Sequence, residues 1–249
     1  MAFLFKEWIR DIKLEYDDIK YYLSLINDVG SYDIHYGLWE KKSKGKITNK
    51  GFINAQKRLS DLAVLFIQKN SKNIIDVGGG IGGFSNNIKQ LGYFTVCIVP
   101  DKKLINIGRK IFPSIKFIHG SAEFFKLQYK FDTAILFESL QYFTDKRLGL
   151  YNISKYIKNG GRIIILDEFS ESDLGDVMNN KILINFLCRN GFNLLENINL
   201  TDEVLPTCDF IINYSLNRSE KMTNLWDNKR KDYLNKTLTY RLLVFNKVY

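Results

Sequence analysis

Five of the six residues from Gly78 to Gly83 are glycine, and they follow directly on the apolar run Asn73-Ile74-Ile75-Asp76-Val77. The run reads as a short buried strand, and the residues after the loop, to Leu91, read as a helix. Glycine has no side chain and tolerates positive φ, so such a turn lets the backbone pass close to a ligand. The helix behind it offers unpaired N–H groups to a carboxylate or a phosphate. A strand, a bare turn and a helix in that order constrain the chain to an α/β fold of nucleotide-binding type.

The rest of the chain repeats this rhythm. Thr95–Val99, Ile115–Ile118, Phe131–Phe137 and Arg162–Leu166 read as strands, with helices over Lys102–Phe112 and Leu148–Lys158. Further on, helices are expected over 175–190 and within 218–236, and strands near 193–199 and over 239–248. Short apolar strands alternating with helices imply a parallel sheet covered on both faces. Before the glycine loop, residues 3–28 and 52–69 carry apolar residues at helical spacing, separated by an aromatic stretch (Tyr32 to Glu40) and a polar loop (41–50). No proline- or serine-rich linker divides the chain. The expected organisation is an N-terminal helical cover over residues 1–50 and one α/β unit over 51–249.

Composition narrows the function. The odd count of three cysteines (Cys97, Cys188, Cys208), with no Cys-x-x-Cys pair and only two histidines (His35, His119), excludes a disulfide framework and a structural zinc site. No metal ligand set is expected. The N-terminal apolar run is broken by Lys6 and Glu7, and no run reaches membrane-spanning length, so the expectation is a soluble, cytoplasmic protein. Lys and Arg exceed Asp and Glu by 36 to 27, a net charge of +9. That excess favours acidic partners, but it is dispersed, and its densest cluster, Lys41 to Lys46, falls in the polar loop. Nucleic acid is therefore not the expected partner.

Two ligand classes fit the glycines. Gly78, Gly80 and Gly83 match the dinucleotide spacing G-x-G-x-x-G, whereas Asp76 with Gly78, Gly80 and Gly82 matches D-x-G-x-G-x-G. Asp76 separates them. A carboxylate at the strand end repels a pyrophosphate and attracts an ammonium. The dinucleotide pattern also wants an acid at the end of the second strand, where Val99 stands, with Asp101 nearby. An NAD(P)-dependent oxidoreductase is the alternative, and a nucleic-acid binder the third reading.

The D-x-G-x-G-x-G pattern resembles motif I of class I S-adenosylmethionine-dependent methyltransferases, and the resemblance extends over nearly the whole chain. His35-Tyr36-Gly37-Leu38-Trp39 is similar to the His-Tyr-Gly-x-Trp stretch that lids the cofactor in small-molecule methyltransferases. Phe131-Asp132 with Glu138-Ser139-Leu140 resembles their strand-four motif, and Tyr240 to Lys247 their last strand. The resemblance implies a Rossmann-like, seven-stranded, mostly parallel sheet with helices on both faces and the last strand antiparallel. It implies S-adenosylmethionine as cofactor and S-adenosylhomocysteine as product. Carried over residue by residue, Asp76, Gly78 and Gly80 would surround the methionyl part, with Tyr36 and Gly79 also expected at the cofactor. Val99 and Asp101 would lie by the ribose, Ser121, Ala122 and Glu123 by the adenine, and Phe137 and Glu138 beside the sulfonium. This sequence departs from the pattern at Val99 and Ser121, where relatives carry acids, and at Gln141-Tyr142, where some carry a histidine. A narrower resemblance points to methyltransferases of bacterial capsule clusters that make O-methyl phosphoramidate. The expected acceptor is a small molecule, or a sugar or phosphoramidate group of a surface polysaccharide precursor.

Methyl transfer is an in-line displacement, in which positioning supplies roughly 7–11 kcal/mol. A general base adds typically ~10²–10⁴-fold. The candidate bases rank Asp167, at a strand's C-terminal end, then His35, then Tyr142. Gln141 and Trp39 are expected at the acceptor. The Asn/Asp-Pro-Pro-Tyr/Phe loop of amino-group base methylases is absent after Phe137, so an oxygen acceptor is favoured.

Overall fold

The computed structural model describes residues 17–33, 35–40, 47–171 and 177–248. Two helices, α1 (Asp17–Val29) and α2 (Asn49–Leu65), precede the sheet. Then β1 (Asn73–Val77), α3 (Gly83–Gln90), β2 (Phe94–Val99), α4 (Lys102–Ile111) and β3 (Lys116–His119) alternate. The chain continues through β4 (Phe131–Phe137), α5 (Lys146–Lys155), β5 (Ile157–Ser170), α6 (Asn180–Arg189) and β6 (Phe192–Asn199). Three helices, α7 (Thr201–Val204), α8 (Pro206–Ser215) and α9 (Glu220–Leu234), lead to the last strand, β7 (Leu238–Lys247).

The seven strands form one sheet in the order β3-β2-β1-β4-β5-β7-β6. β1 to β5 pair in parallel, while β7 lies between β5 and β6 and runs antiparallel to both. Alternation along each strand fills two cores. In β5, Ile164 and Leu166 pack with Leu59, Phe210 and Trp226 on the face that α2, α8 and α9 cover. Ile163 and Ile165 pack with Leu150, Ile153, Leu183 and Leu187 from α5 and α6 on the other. The chain winds outward from β1 through β2 to β3, then returns to lay β4 on the opposite side of β1. The strand order reverses between β1 and β4, and ligands of open α/β sheets bind in the crevice beyond the strand ends there.

Two readings change. The helix expected to Lys158 ends at Lys155, because Ile157 already pairs with Phe131 and β5 runs on through Gly160 and Gly161. A register shift between Phe131 and Thr133 marks the irregularity, so the glycines bend a strand where they were expected to end a helix. The stretch 200–217, left without an element by its pattern, forms α7 and α8, with Pro206 in the first turn of α8, where its missing N–H costs nothing. The expected division at residue 50 falls in the first turn of α2. Residues 3–16 of the first expected helix, the basic cluster 41–46 and the start of the helix expected over 175–190 lie outside the described residues.

Candidate active site

The glycine loop leaves β1 in an alternating conformation: φ is +82° at Gly78, +57° at Gly80 and +87° at Gly82. These three positions are those of D-x-G-x-G-x-G. At Gly78 a side chain would also strike Ser139 at the tip of β4, so the loop can lie against that strand only as bare backbone. Gly82 starts α3 without a side-chain cap. The first-turn N–H groups, at the positive end of the helix, are left for a ligand.

Asp76, the fourth residue of β1, is fully buried beneath this loop. Its Oδ2 accepts the Ser85 hydroxyl at 2.6 Å, and its Oδ1 has no partner. Burial pushes its pKa up to about 6; the Ser85 bond opposes the rise and the charge of Asp33 adds to it.

A cavity of about 330 Å³ opens at the β1–β4 crevice. Of the expected site residues, His35, Tyr36, Asp76, Gly78, Gly79, Gly80 and Val99 line it, as do Ser121, Ala122, Glu123, Phe137, Glu138, Gln141 and Tyr142. Three do not. Asp101 turns back on its own helix, accepting the Lys103 and Leu104 N–H groups as the α4 cap, and only Val99 and Pro100 of that turn reach the cavity. Trp39 packs on Phe52 and donates its indole N–H to Thr207 Oγ1 at 2.9 Å, which places it behind the wall. Asp167 accepts Leu140 N–H at 2.9 Å and Glu168 N–H at 2.8 Å, so it ties down the loop after β4. Burial raises its pKa to about 7, but it does not face the cavity.

His35 lines the cavity with both ring nitrogens engaged. Nδ1 lies 2.6 Å from the Tyr36 carbonyl, which can only accept, so Nδ1 carries the proton. Nε2 then accepts the Ser60 hydroxyl at 3.1 Å. Burial lowers the His35 pKa, and the neutral ring stacks on Phe137 at 4.2 Å. This geometry makes His35 a wall.

The tips of β4 and β5 carry an acid cluster, with Asp167 and Glu168 buried and Glu138 half-buried. Glu138 adopts φ +51°, unusual for a residue with a side chain. Its Oε1 accepts both Tyr36 N–H and Tyr240 O–H, each at 2.7 Å. Oε2 has no hydrogen-bond partner among the described residues, and Glu138 lines the cavity. Burial raises its pKa well above the carboxylate range; the two hydrogen bonds oppose the rise, and Asp167 and Glu168 reinforce it. Glu168 is the ionised member: Lys229 holds Oε2 at 2.7 Å, and the phenols of Tyr36 and Tyr233 donate to Oε1. Lys229 keeps the Glu168 pKa low despite burial.

Several cavity residues escaped the sequence reading. Asp33, Gln56 and Ser139 each present a buried polar atom without a partner, as Asp76 does, and all four line the cavity. Gln56 had a readable signal, since it lies on the buried stripe of α2 with Leu59 and Ala63. Lys229, which lines the cavity, and Tyr240, which only holds Glu138 from behind, lie more than a hundred residues further along the chain and had none.

The fold and the crevice are those of a nucleotide-binding type of α/β protein, and comparison with known proteins names the family. The chain belongs to the methyltransferase-domain family, whose model matches residues 53–204. It is similar to the O-methyltransferase resE of Aspergillus sclerotiorum, at 25% identity over 81% of this chain and 83% of that one. The geranyl diphosphate C-methyltransferase of Streptomyces coelicolor A3(2) superposes with a TM-score of 0.75 at 12% identity, covering 99% of this chain and 97% of that one. The [4+2]-cyclase SpnF superposes with a TM-score of 0.72 at 18% identity, over 90% and 92% of the two chains. These two likenesses are of scaffold, and a scaffold hosts many reactions.

The protein is thus a methyltransferase whose methyl donor is S-adenosylmethionine. The glycine-loop residues fit that donor. The unpartnered atoms of the lining residues are carboxylate and amide oxygens and one hydroxyl, suited to an amino-acid ammonium and not to linked phosphates. Among the described residues, no helix is long and apolar enough to cross a membrane, and no group of His, Cys, Asp and Glu could hold a metal ion.

Proposed function

We propose that this enzyme methylates the hydroxyl of a small, largely apolar acceptor, and that Glu138 receives the hydroxyl proton. The observation that carries the reading is the presentation of Glu138. With Oε1 holding two donors, any proton on the carboxyl sits on Oε2, and Glu138 lines the cavity. Bound S-adenosylmethionine supplies an electrophilic methyl on sulfur, which departs as a neutral thioether. Glu138 takes the acceptor's proton on Oε2 as the oxygen–carbon bond forms, while Tyr36 and Tyr240 hold Oε1 in place.

The acceptor class follows from the walls. Leu25, Ile26 and Val29 of α1, Ile211 of α8, and Leu225 and Trp226 of α9 make that side apolar. Lys229 is the one cation among the described lining residues, and it is engaged with Glu168. An anionic phosphoramidate or sugar phosphate would find no free cation, so the walls favour an apolar alcohol or phenol. The names of resE and of the mitochondrial ubiquinone biosynthesis O-methyltransferase of Schizosaccharomyces pombe, 25% identical over 43% of each chain, support an oxygen acceptor. In this reading Tyr36 and its neighbours act as the lid, fastened by Glu138 and Glu168, and Gln141 and Tyr142 border the acceptor.

Transfer of labelled methyl to a panel of apolar phenols, set beside sugar phosphates, tests the proposal. The phenols are expected to be labelled, at a rate that rises with pH as Glu138 loses its proton. Glu138→Gln should keep affinity for S-adenosylhomocysteine, slow transfer by about 10²-fold or more and flatten that pH profile. Labelling confined to the sugar phosphates, or an unaltered profile in Glu138→Gln, would overturn it.

A further inference from the structure

The acid of β1 is expected at the methionyl ammonium, but it does not face the cavity alone. A second carboxylate, Asp33, reaches the same loop from the segment between α1 and α2. A Cβ added to Gly83 would lie 2.9 Å from Asp33 Oδ1, and one added to Gly79 would strike the Asp76 carboxylate. The two carboxylates therefore rest against opposite ends of one glycine loop. They are close enough for the charge of Asp33 to raise the proton affinity of Asp76.

Neither group is satisfied. Asp33 Oδ1 and Asp76 Oδ1 are both buried without a hydrogen-bond partner, and Asp76 is fully excluded from solvent. Among the described residues, no Lys or Arg pairs with either. The nearest basic group to Asp33 is His35, whose Nε2 lies 3.8 Å from Oδ2. That nitrogen accepts from Ser60 and has no proton to give. Gln56 adds a third acceptor. Its Nε2 donates to the Asp33 carbonyl at 3.0 Å and to the His35 carbonyl at 2.9 Å, while its Oε1 is buried without a donor in a residue that lines the cavity. Buried acceptors left in this state cost free energy unless a donor arrives. Two carboxylates lining one cavity without a paired Lys or Arg cost more.

We propose that Asp33 is a second ligand of the donor's α-ammonium, forming with Asp76 a two-carboxylate clamp across the glycine loop. An ammonium brings three N–H donors and a full positive charge, which matches acceptors that no group of the protein satisfies. Asp33 then acts through binding: it makes affinity depend on the amino group of the ligand, separately from the adenosine contacts made near Val99 and Ser121. The inference rests on S-adenosylmethionine as donor and is independent of the acceptor's identity.

Isothermal calorimetry tests it without turnover. Three ligands are compared: S-adenosylhomocysteine, its deaminated analogue in which hydrogen replaces the amine, and adenosine. Asp33→Asn is expected to lose roughly tenfold or more in affinity for S-adenosylhomocysteine, the scale of one charge-assisted hydrogen bond. Its affinity for the deaminated analogue and for adenosine should match the wild type. Asp33→Ser should repeat the pattern, which guards against a particular failure of the asparagine variant. Equal losses for all three ligands would assign Asp33 a structural role and overturn the clamp, as would unchanged binding of all three. Wild-type protein that bound none of them would overturn the donor assignment together with the clamp.

Discussion

Moving the protein from about pH 7.5 to about pH 5 changes the charge of Asp76 while leaving its covalent structure intact, and the geometry sets the direction of the result. The free protein holds Asp76 protonated up to about 6, above the ordinary 3.8, chiefly because the residue is buried. The groups around it are the Ser85 hydroxyl of α3, the Asp33 carboxylate and the Cys97 thiol of β2. Burial raises the Cys97 pKa well above its usual value, so the thiol stays neutral throughout. A ligand ammonium favours the Asp76 anion, so binding releases a proton below about pH 6. At about pH 5 roughly one molecule in eleven has the anion ready, and apparent affinity for S-adenosylhomocysteine should fall about tenfold from its neutral plateau. Stability of the free protein runs the opposite way. A raised folded pKa contributes stability below 3.8 that is lost as pH rises through about 6, about 3 kcal/mol in all. The ligand's thermal shift should therefore be larger above pH 6 than below it. Calorimetry in two buffers of different ionisation enthalpy reads the released proton directly. Constant affinity across the range, with no proton released, would refute the reasoning about Asp76.

Three further variants test other contacts of the site and its supports. Gly78→Ala forces a side chain into left-handed backbone and into Ser139, and should cost about 2 kcal/mol or more in urea unfolding and abolish S-adenosylhomocysteine binding. Gly92→Ala, at φ +97° with nothing near its added Cβ, should bear only the backbone strain and keep binding. Lys229→Met leaves Glu168 ionised and buried without its cation, and should destabilise the fold by about 3 kcal/mol near neutral pH, less in acid where Glu168 can take a proton. An unfolding midpoint equal to wild type near pH 8 would contradict that role for the pair.

Local pattern carried much of this protein. The strands β1, β2 and β4 were legible because each is a short apolar run bounded by turn residues, and burial on both faces of a parallel strand needs nothing more. The glycine loop was legible because bare backbone at fixed spacing has few other uses. The place of Asp76 before that loop favours an ammonium over linked phosphates by the sign of its charge alone.

Which carboxylate faces the cavity was a different matter. Asp101, Asp167 and Glu138 all read as strand-end acids in the sequence, and by position alone they are equivalent. A strand-end carboxylate can turn to its own helix, as Asp101 does, or to the neighbouring loop, as Asp167 does. Glu138 faces the cavity because Tyr36 and Tyr240, each 102 residues away, fix its other oxygen. His35 lost its freedom to Ser60, 25 residues on, and Trp39 was drawn off by Thr207, 168 residues on. Hydrophobic periodicity is a local property of a chain and survives in its sequence. The partner of a buried polar atom is chosen when distant segments meet, and only the folded structure decides it.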